Sequence, residues 1–136
     1  MPYLHNYRLF ISHAWEYSER YTRVVSMLNE ASNFKWSNFS VPYDGAFPRM
    51  NKSQLQEEIR QQIRPVDCVI IMSGMYINHS DWILFEMEFA RTLGKPIVGI
   101  RRRGAQQTPK VVQDYSSRLV PQMTSSIIAA IRELIP

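Results

Sequence analysis

The chain predicts an α/β domain, a parallel sheet with helices packed on both of its faces. Three observations carry this. Strand and helix patterns alternate along nearly all of the 136 residues. The strand candidates are apolar almost throughout instead of alternating, as strands covered on both sides must be. Five such strands in a chain of this length suit a doubly wound sheet.

The elements follow in order. Tyr7-Arg-Leu-Phe-Ile11 alternates briefly and then turns apolar, the mark of a buried strand, and Ser12-His13-Ala14 breaks it. A helical pattern runs from about Glu16 to Ala31, with Tyr17, Tyr21, Val24, Val25 and Leu28 at helical spacing. Asn33 to Pro48 is rich in turn formers and reads as a long loop holding a short strand at Phe39-Ser-Val41. Lys52 to Arg64 is an amphipathic helix carrying Leu55, Ile59 and Ile63, stopped by Pro65. Asp67-Cys-Val-Ile-Ile-Met-Ser73 is the cleanest strand. Ser80 to Leu93 is a helix opened by a serine cap and an early aspartate, with Gly94 as its stop. Pro96-Ile-Val-Gly-Ile100 is the fourth strand. The tail holds a weaker strand at Arg118-Leu-Val120 and a closing helix from about Thr124 to Leu134. The whole is a single flavodoxin-like domain over residues 1–136, a five-stranded parallel sheet with helices on both faces.

Composition narrows the function classes. With 45% hydrophobic residues the chain can bury a proper core. Its longest purely apolar run, near Cys68 to Met72, is too short for a membrane helix, and the N-terminus lacks a secretory leader's pattern. The single cysteine excludes disulfides and fits a reducing, cytoplasmic compartment. Cys68 lies mid-strand, where burial disfavours the thiolate, so it is no nucleophile. The net charge of +4 is modest, and its densest part, Arg101-Arg-Arg103, reads as a solvated loop or as a run that attracts a phosphate-bearing ligand. No zinc spacing, helix-turn-helix signal or basic-aromatic strand supports a nucleic-acid reader. No Walker motif and no G-x-G-x-x-G is present. His5, His13 and His79 are scattered without the short-range pairing of a metal site, so no metal is expected.

Glu86 sits where a carboxylate should not be. At about 100° per residue, Trp82, Ile83, Phe89, Ala90 and Leu93 fall on one apolar arc, and Glu86 lands near its middle. Glu88 points away, with Arg91 and Thr92. A carboxylate on an apolar face costs several kcal/mol unless it is paired or functional. Either an arginine or backbone amides satisfy it as a structural acid, or it does chemistry. In a doubly wound sheet, ligands bind beyond the carboxyl ends of the strands. The predicted strands end at Ser12-His13, Tyr43-Asp44 and Ser73-Gly74, and the last leads into the Glu86 helix, so these places should converge on one cleft.

The motifs, taken together, resemble a known family. Phe10-Ile-Ser-His13 resembles the F-[IV]-S-[YH] opening of TIR domains, and Asp67 to Ser73 resembles their third strand. Ser80-Asp-Trp-Ile-Leu-Phe-Glu86 resembles the W-x-x-x-E element, and Gly94-Lys-Pro-Ile-Val-Gly-Ile100 resembles the strand that follows it. The resemblance covers about residues 7 to 101. The histidine after Phe-Ile-Ser and the Val41-Pro-Tyr-Asp44 loop are most similar to the bacterial TIR-like ThsB branch of Thoeris antiphage systems. Ile83 stands where TIR domains usually carry a cysteine after the tryptophan, as is common in this branch. The tail beyond Arg103 matches nothing in the family's pattern.

The resemblance implies an enzyme that cleaves the nicotinamide–ribose bond of NAD. It would make an ADP-ribose-derived signal, cyclic or conjugated, that activates a separate effector protein. NAD enters as substrate, and no bound cofactor is implied. By motif position Glu86 is the catalytic glutamate, and Ser12, His13, Asp44, Ser73, Tyr76 and Trp82 are the expected substrate-binding residues around it. The 33–48 loop is expected to close over ligand or to serve homo-oligomer contacts. Two other readings stay open: a non-catalytic TIR-like interaction module in which Glu86 is a structural acid, and a nucleotide or deoxyribosyl transferase of similar fold.

Overall fold

The computed structural model describes residues 5–12, 19–40, 51–101 and 108–135, with the backbone alone for residues 19–20 and 74–80. Five strands form one sheet in the order β2-β1-β3-β4-β5, every neighbouring pair parallel. They are β1 (Asn6–Ile11), β2 (Lys35–Asn38), β3 (Cys68–Met72), β4 (Ile97–Ile100) and β5 (Arg118–Val120). The helices are α1 (Glu19–Glu30), α2 (Lys52–Ile63), α3 (Ser73–Thr92), α4 (Lys110–Tyr115) and α5 (Thr124–Leu134). Helices α2, α3 and α4 pack together on one face, and α1 and α5 meet on the other. This is the flavodoxin-like strand order, whose switch point lies between β1 and β3.

Burial explains the sheet's centre. Every residue of β3 and of β4 is buried, as are Leu9, Phe10 and Ile11 in β1. Parallel strands covered on both faces need such continuous apolar runs. Cys68 lies in this core, and burial pushes its thiol up to about 12, which keeps it inert.

The helix ends are equally legible in chemical terms. Asn51 and Gln54 form a reciprocal capping box at the start of α2: the Asn51 side chain accepts from the Gln54 N–H at 2.8 Å, and the Asn51 N–H donates to Gln54 Oε1 at 3.0 Å. Leu55, Ile59 and Ile63 form its buried stripe. Helix α3 closes on Gly94 at φ +71°, with the Gly94 N–H on the Arg91 carbonyl and the Lys95 N–H on that of Ala90. That is a Schellman stop, and the left-handed residue it requires is the glycine.

Three expectations are corrected. The second strand is Lys35–Asn38, not Phe39-Ser-Val41. It is an edge strand with Trp36 as its one apolar residue, so no apolar pattern marks it; the Phe39 N–H still donates to the Leu9 carbonyl at 2.9 Å, so the predicted strand starts where the real one ends. The stretch expected as a loop from Asn33 therefore holds this strand, and its residues 41–48 lie outside the described residues. Helix α3 starts at Ser73, directly after β3, with no side-chain cap, so Ser80 and Asp81 are helix interior and no loop separates β3 from α3. Leu93, placed on the apolar arc, is exposed at the helix stop, while Met87 completes the buried stripe instead.

Candidate functional site

Ser12 and Glu86 come from sequence positions far apart and meet at the switch point. The Ser12 N–H donates to the Ile70 carbonyl at 2.9 Å, extending the β1–β3 ladder one residue past the end of β1 and fixing the serine backbone. The Ser12 side chain is buried, and its Oγ donates to Glu86 Oε1 at 2.5 Å. Glu86 arrives on α3, whose buried stripe is Ile83, Glu86, Met87 and Ala90, the i, i+3, i+4, i+7 spacing of a core-facing helix. One position of that stripe is a carboxyl, only 1% exposed. Glu88, two residues on, is exposed, as are Arg91 and Thr92.

The electrostatics follow from this placement. Loss of solvent pushes the Glu86 carboxyl up from 4.5 to about 8, and the Ser12 hydrogen bond opposes that shift by favouring the charged form. No charged side chain among the described residues contributes to the shift, so no described arginine pairs with Glu86. At neutral pH the group is largely the neutral acid. Once ionised in so dry a place, it would be a strong partner for a positive centre.

The other expected site residues divide. Ser73 is buried at the first position of α3, immediately beyond the carboxyl end of β3. With Ser12 beyond β1, it marks the second strand end at the switch point. Trp82 is half-buried one turn before Glu86, its ring edge-on to Phe85 at 6.2 Å. Phe85 stacks on Phe89, and the Arg60 guanidinium of α2 covers Phe85 at 5.2 Å, so these rings form the α2–α3 seam beside the buried stripe. Tyr76 falls within α3, not in a loop, and its side chain lies outside the described residues. His13 and Asp44 also lie outside them.

One polar cluster escaped the sequence reading. At the carboxyl end of β2, the Asn38 amide donates to the Tyr21 hydroxyl at 3.0 Å, and the Ser40 hydroxyl and N–H both donate to Asn38 Oδ1, at 2.5 and 2.9 Å. Ser40 is fully buried. An asparagine two residues before a serine is the one local signal for it, since this spacing suits an Asx turn. The cluster anchors the chain at the exit from β2, on the same end of the sheet as Ser12.

A cavity of about 470 Å³ opens at the opposite end of the sheet, lined in part by Arg91, Lys95, Tyr115 and Ser117. It adjoins the amino end of β4 and the carboxyl ends of α3 and α5, and Arg91, in the last turn of α3, complements the negative pole of that helix. Ligand sites of this fold class lie at the other end. Among the described residues no three His, Cys, Asp or Glu side chains gather where they could hold a metal ion, and no helix is long and apolar enough to cross a membrane.

Solved structures share this architecture. A conserved protein from Enterococcus faecalis aligns over 95% of this chain and 99% of its own, with a TM-score of 0.66 at 11% identity. The CMP N-glycosidase BcmB from Clostridium botulinum aligns over 94% of this chain and 99% of its own, with a TM-score of 0.54 at 14% identity. At such identities the likeness is one of fold. No curated protein matches the chain. Residues 10–107 match the family model described as the TIR-like domain of the Thoeris protein ThsB. That span holds both Ser12 and Glu86 and most of the chain, which therefore belongs to the ThsB TIR-like domain family.

Proposed function

We propose that this protein is an NAD-consuming enzyme of antiphage defence. It cleaves the nicotinamide–ribose bond and makes a cyclic or conjugated ADP-ribose-derived signal that activates a separate effector. The observation that carries this reading is the buried Glu86 carboxyl, held by Ser12 at the switch point of the sheet. An interaction module has no use for such a group: it destabilises the fold at neutral pH and above, and nothing among the described residues neutralises it.

The chemistry suits a single carboxylate. Departure of nicotinamide leaves positive charge on the ribose, as in other glycosidic cleavages. The pyridinium is already a good leaving group, so no second acid is needed to protonate it. Glu86, ionised, stabilises the ribose cation and accepts from the ribose hydroxyls. That a protein of the same fold carries the name of an N-glycosidase supports the bond type, since the nicotinamide–ribose bond is also N-glycosidic. His13, Asp44, Ser73, Tyr76 and Trp82 are proposed to complete the substrate site, and copies of the chain to assemble during activation.

Incubation with NAD, with and without lysate from phage-infected cells, tests the proposal. Mass spectrometry should find free nicotinamide and an ADP-ribose-derived product. NAD left intact under both conditions, and in the presence of pre-assembled protein, would contradict it.

A further inference from the structure

Ser12 was expected to contact substrate, but its hydroxyl proton is already engaged. The serine has one O–H to donate. It donates to Glu86 Oε1 at 2.5 Å, with both residues buried and the serine backbone locked to β3 through Ile70. The carboxyl has no other hydrogen bond among the described residues. We propose that Ser12 is a positioning residue for Glu86: it fixes Oε1 at the end of β1 and leaves Oε2 as the oxygen that meets the ribose.

Two consequences follow, and the first rests on the proposed NAD cleavage. A carboxyl swinging freely about its last torsion would have to be oriented in each encounter. Held by one oxygen from a serine on the sheet, it presents the other in a single direction, the form of preorganisation that raises turnover more than substrate affinity. The second consequence concerns charge and needs no substrate. The Ser12 hydrogen bond favours the ionised carboxyl against the desolvation that favours the acid. Removing it should make Glu86 harder to ionise.

The test compares wild type with Ser12→Ala and with Ser12→Cys, which keeps nearly the same volume but donates weakly. Thermal melts from pH 5 to 10, each referenced to a Glu86→Gln background, give the pH at which Glu86 ionises without any turnover. Both serine variants should move that point upward by about one pH unit, a tenfold change in the ionisation constant. In NAD cleavage they should lose roughly ten- to a hundredfold in kcat with KM nearly unchanged, and the acidic limb of the pH profile should move up with the ionisation point.

An unmoved ionisation point would overturn the proposal, as would a loss confined to KM, which would make Ser12 a substrate contact. If wild type cleaves no NAD, the functional reading fails while the melts still decide the Ser12–Glu86 coupling. If Ser12→Ala does not fold, Ser12→Cys carries the same comparison.

Discussion

A glutamate at 1% exposure with a carboxyl at about 8 makes a stability prediction with a definite sign. Below pH 4.5 the carboxyl is protonated in the folded and the unfolded chain alike, and it costs nothing. Between 4.5 and about 8 only the unfolded chain ionises, so stability drains away as pH rises; above about 8 the loss is complete. The full span is worth roughly 5 kcal/mol as an order of magnitude. Glu86→Gln should therefore melt like wild type at pH 4.5 and on the order of 10 °C higher at pH 8.5, measured by calorimetry. An ion-paired structural acid would behave in the opposite way, losing stability on the same change. If NAD cleavage runs through the carboxylate, as proposed, kcat/KM for NAD should rise about tenfold per pH unit on approach to pH 8 and then level. A flat rate from pH 6 to 8 would exclude Glu86 as the group whose charge matters.

At the scale of elements, α2 shows how local chemistry builds the frame around the site. Its capping box satisfies orphan N–H groups at the helix start, and Asn51→Ala should cost about 1 kcal/mol in chemical denaturation with activity retained. Gly99, in the buried strand β4, is a stricter case. A Cβ there would come within 2.9 Å of Leu119 Cδ1 and closer still to the Ser116 hydroxyl, so Gly99→Ala should destabilise by roughly 1–3 kcal/mol. Such elements differ in how plainly the sequence announces them. Strand β3 is visible because all of its residues are apolar and buried. Strand β2 is hidden because Lys35-Trp-Ser-Asn38 has a single apolar residue and lies at the sheet edge, where pairing with β1 decides the conformation. The start of α3 is hidden because Ser73 follows a buried strand without a side-chain cap, while Ser80 and Asp81 imitate a helix start within the helix. Glu86 is legible as a carboxyl on an apolar stripe. That Ser12 lies near it follows from the strand-end rule, whereas the direct bond is not legible, because it depends on how α3 is set against the β1–β3 pair.

At the scale of the whole molecule, the order β2-β1-β3-β4-β5 puts Ser12 and Ser73 beyond the carboxyl ends of two neighbouring strands, with the Glu86 carboxyl bonded to the first. The carboxyl end of the sheet is thereby separated from the polar cavity at the amino end of β4. If the product is a diffusible nucleotide, the protein-free filtrate of an activated reaction should switch on the effector as well as the unfiltered mixture does. Activation lost on filtration would point to direct contact between the two proteins. The most direct measurement is NAD turnover by wild type, Glu86→Gln and Glu88→Gln, side by side under activating conditions. The two glutamates lie about 200° apart around one helix, one buried and one exposed, so each controls for the other. Glu86→Gln should lose at least a thousandfold in kcat while remaining folded, and Glu88→Gln should stay within about twofold of wild type. Turnover by Glu86→Gln equal to wild type would contradict it.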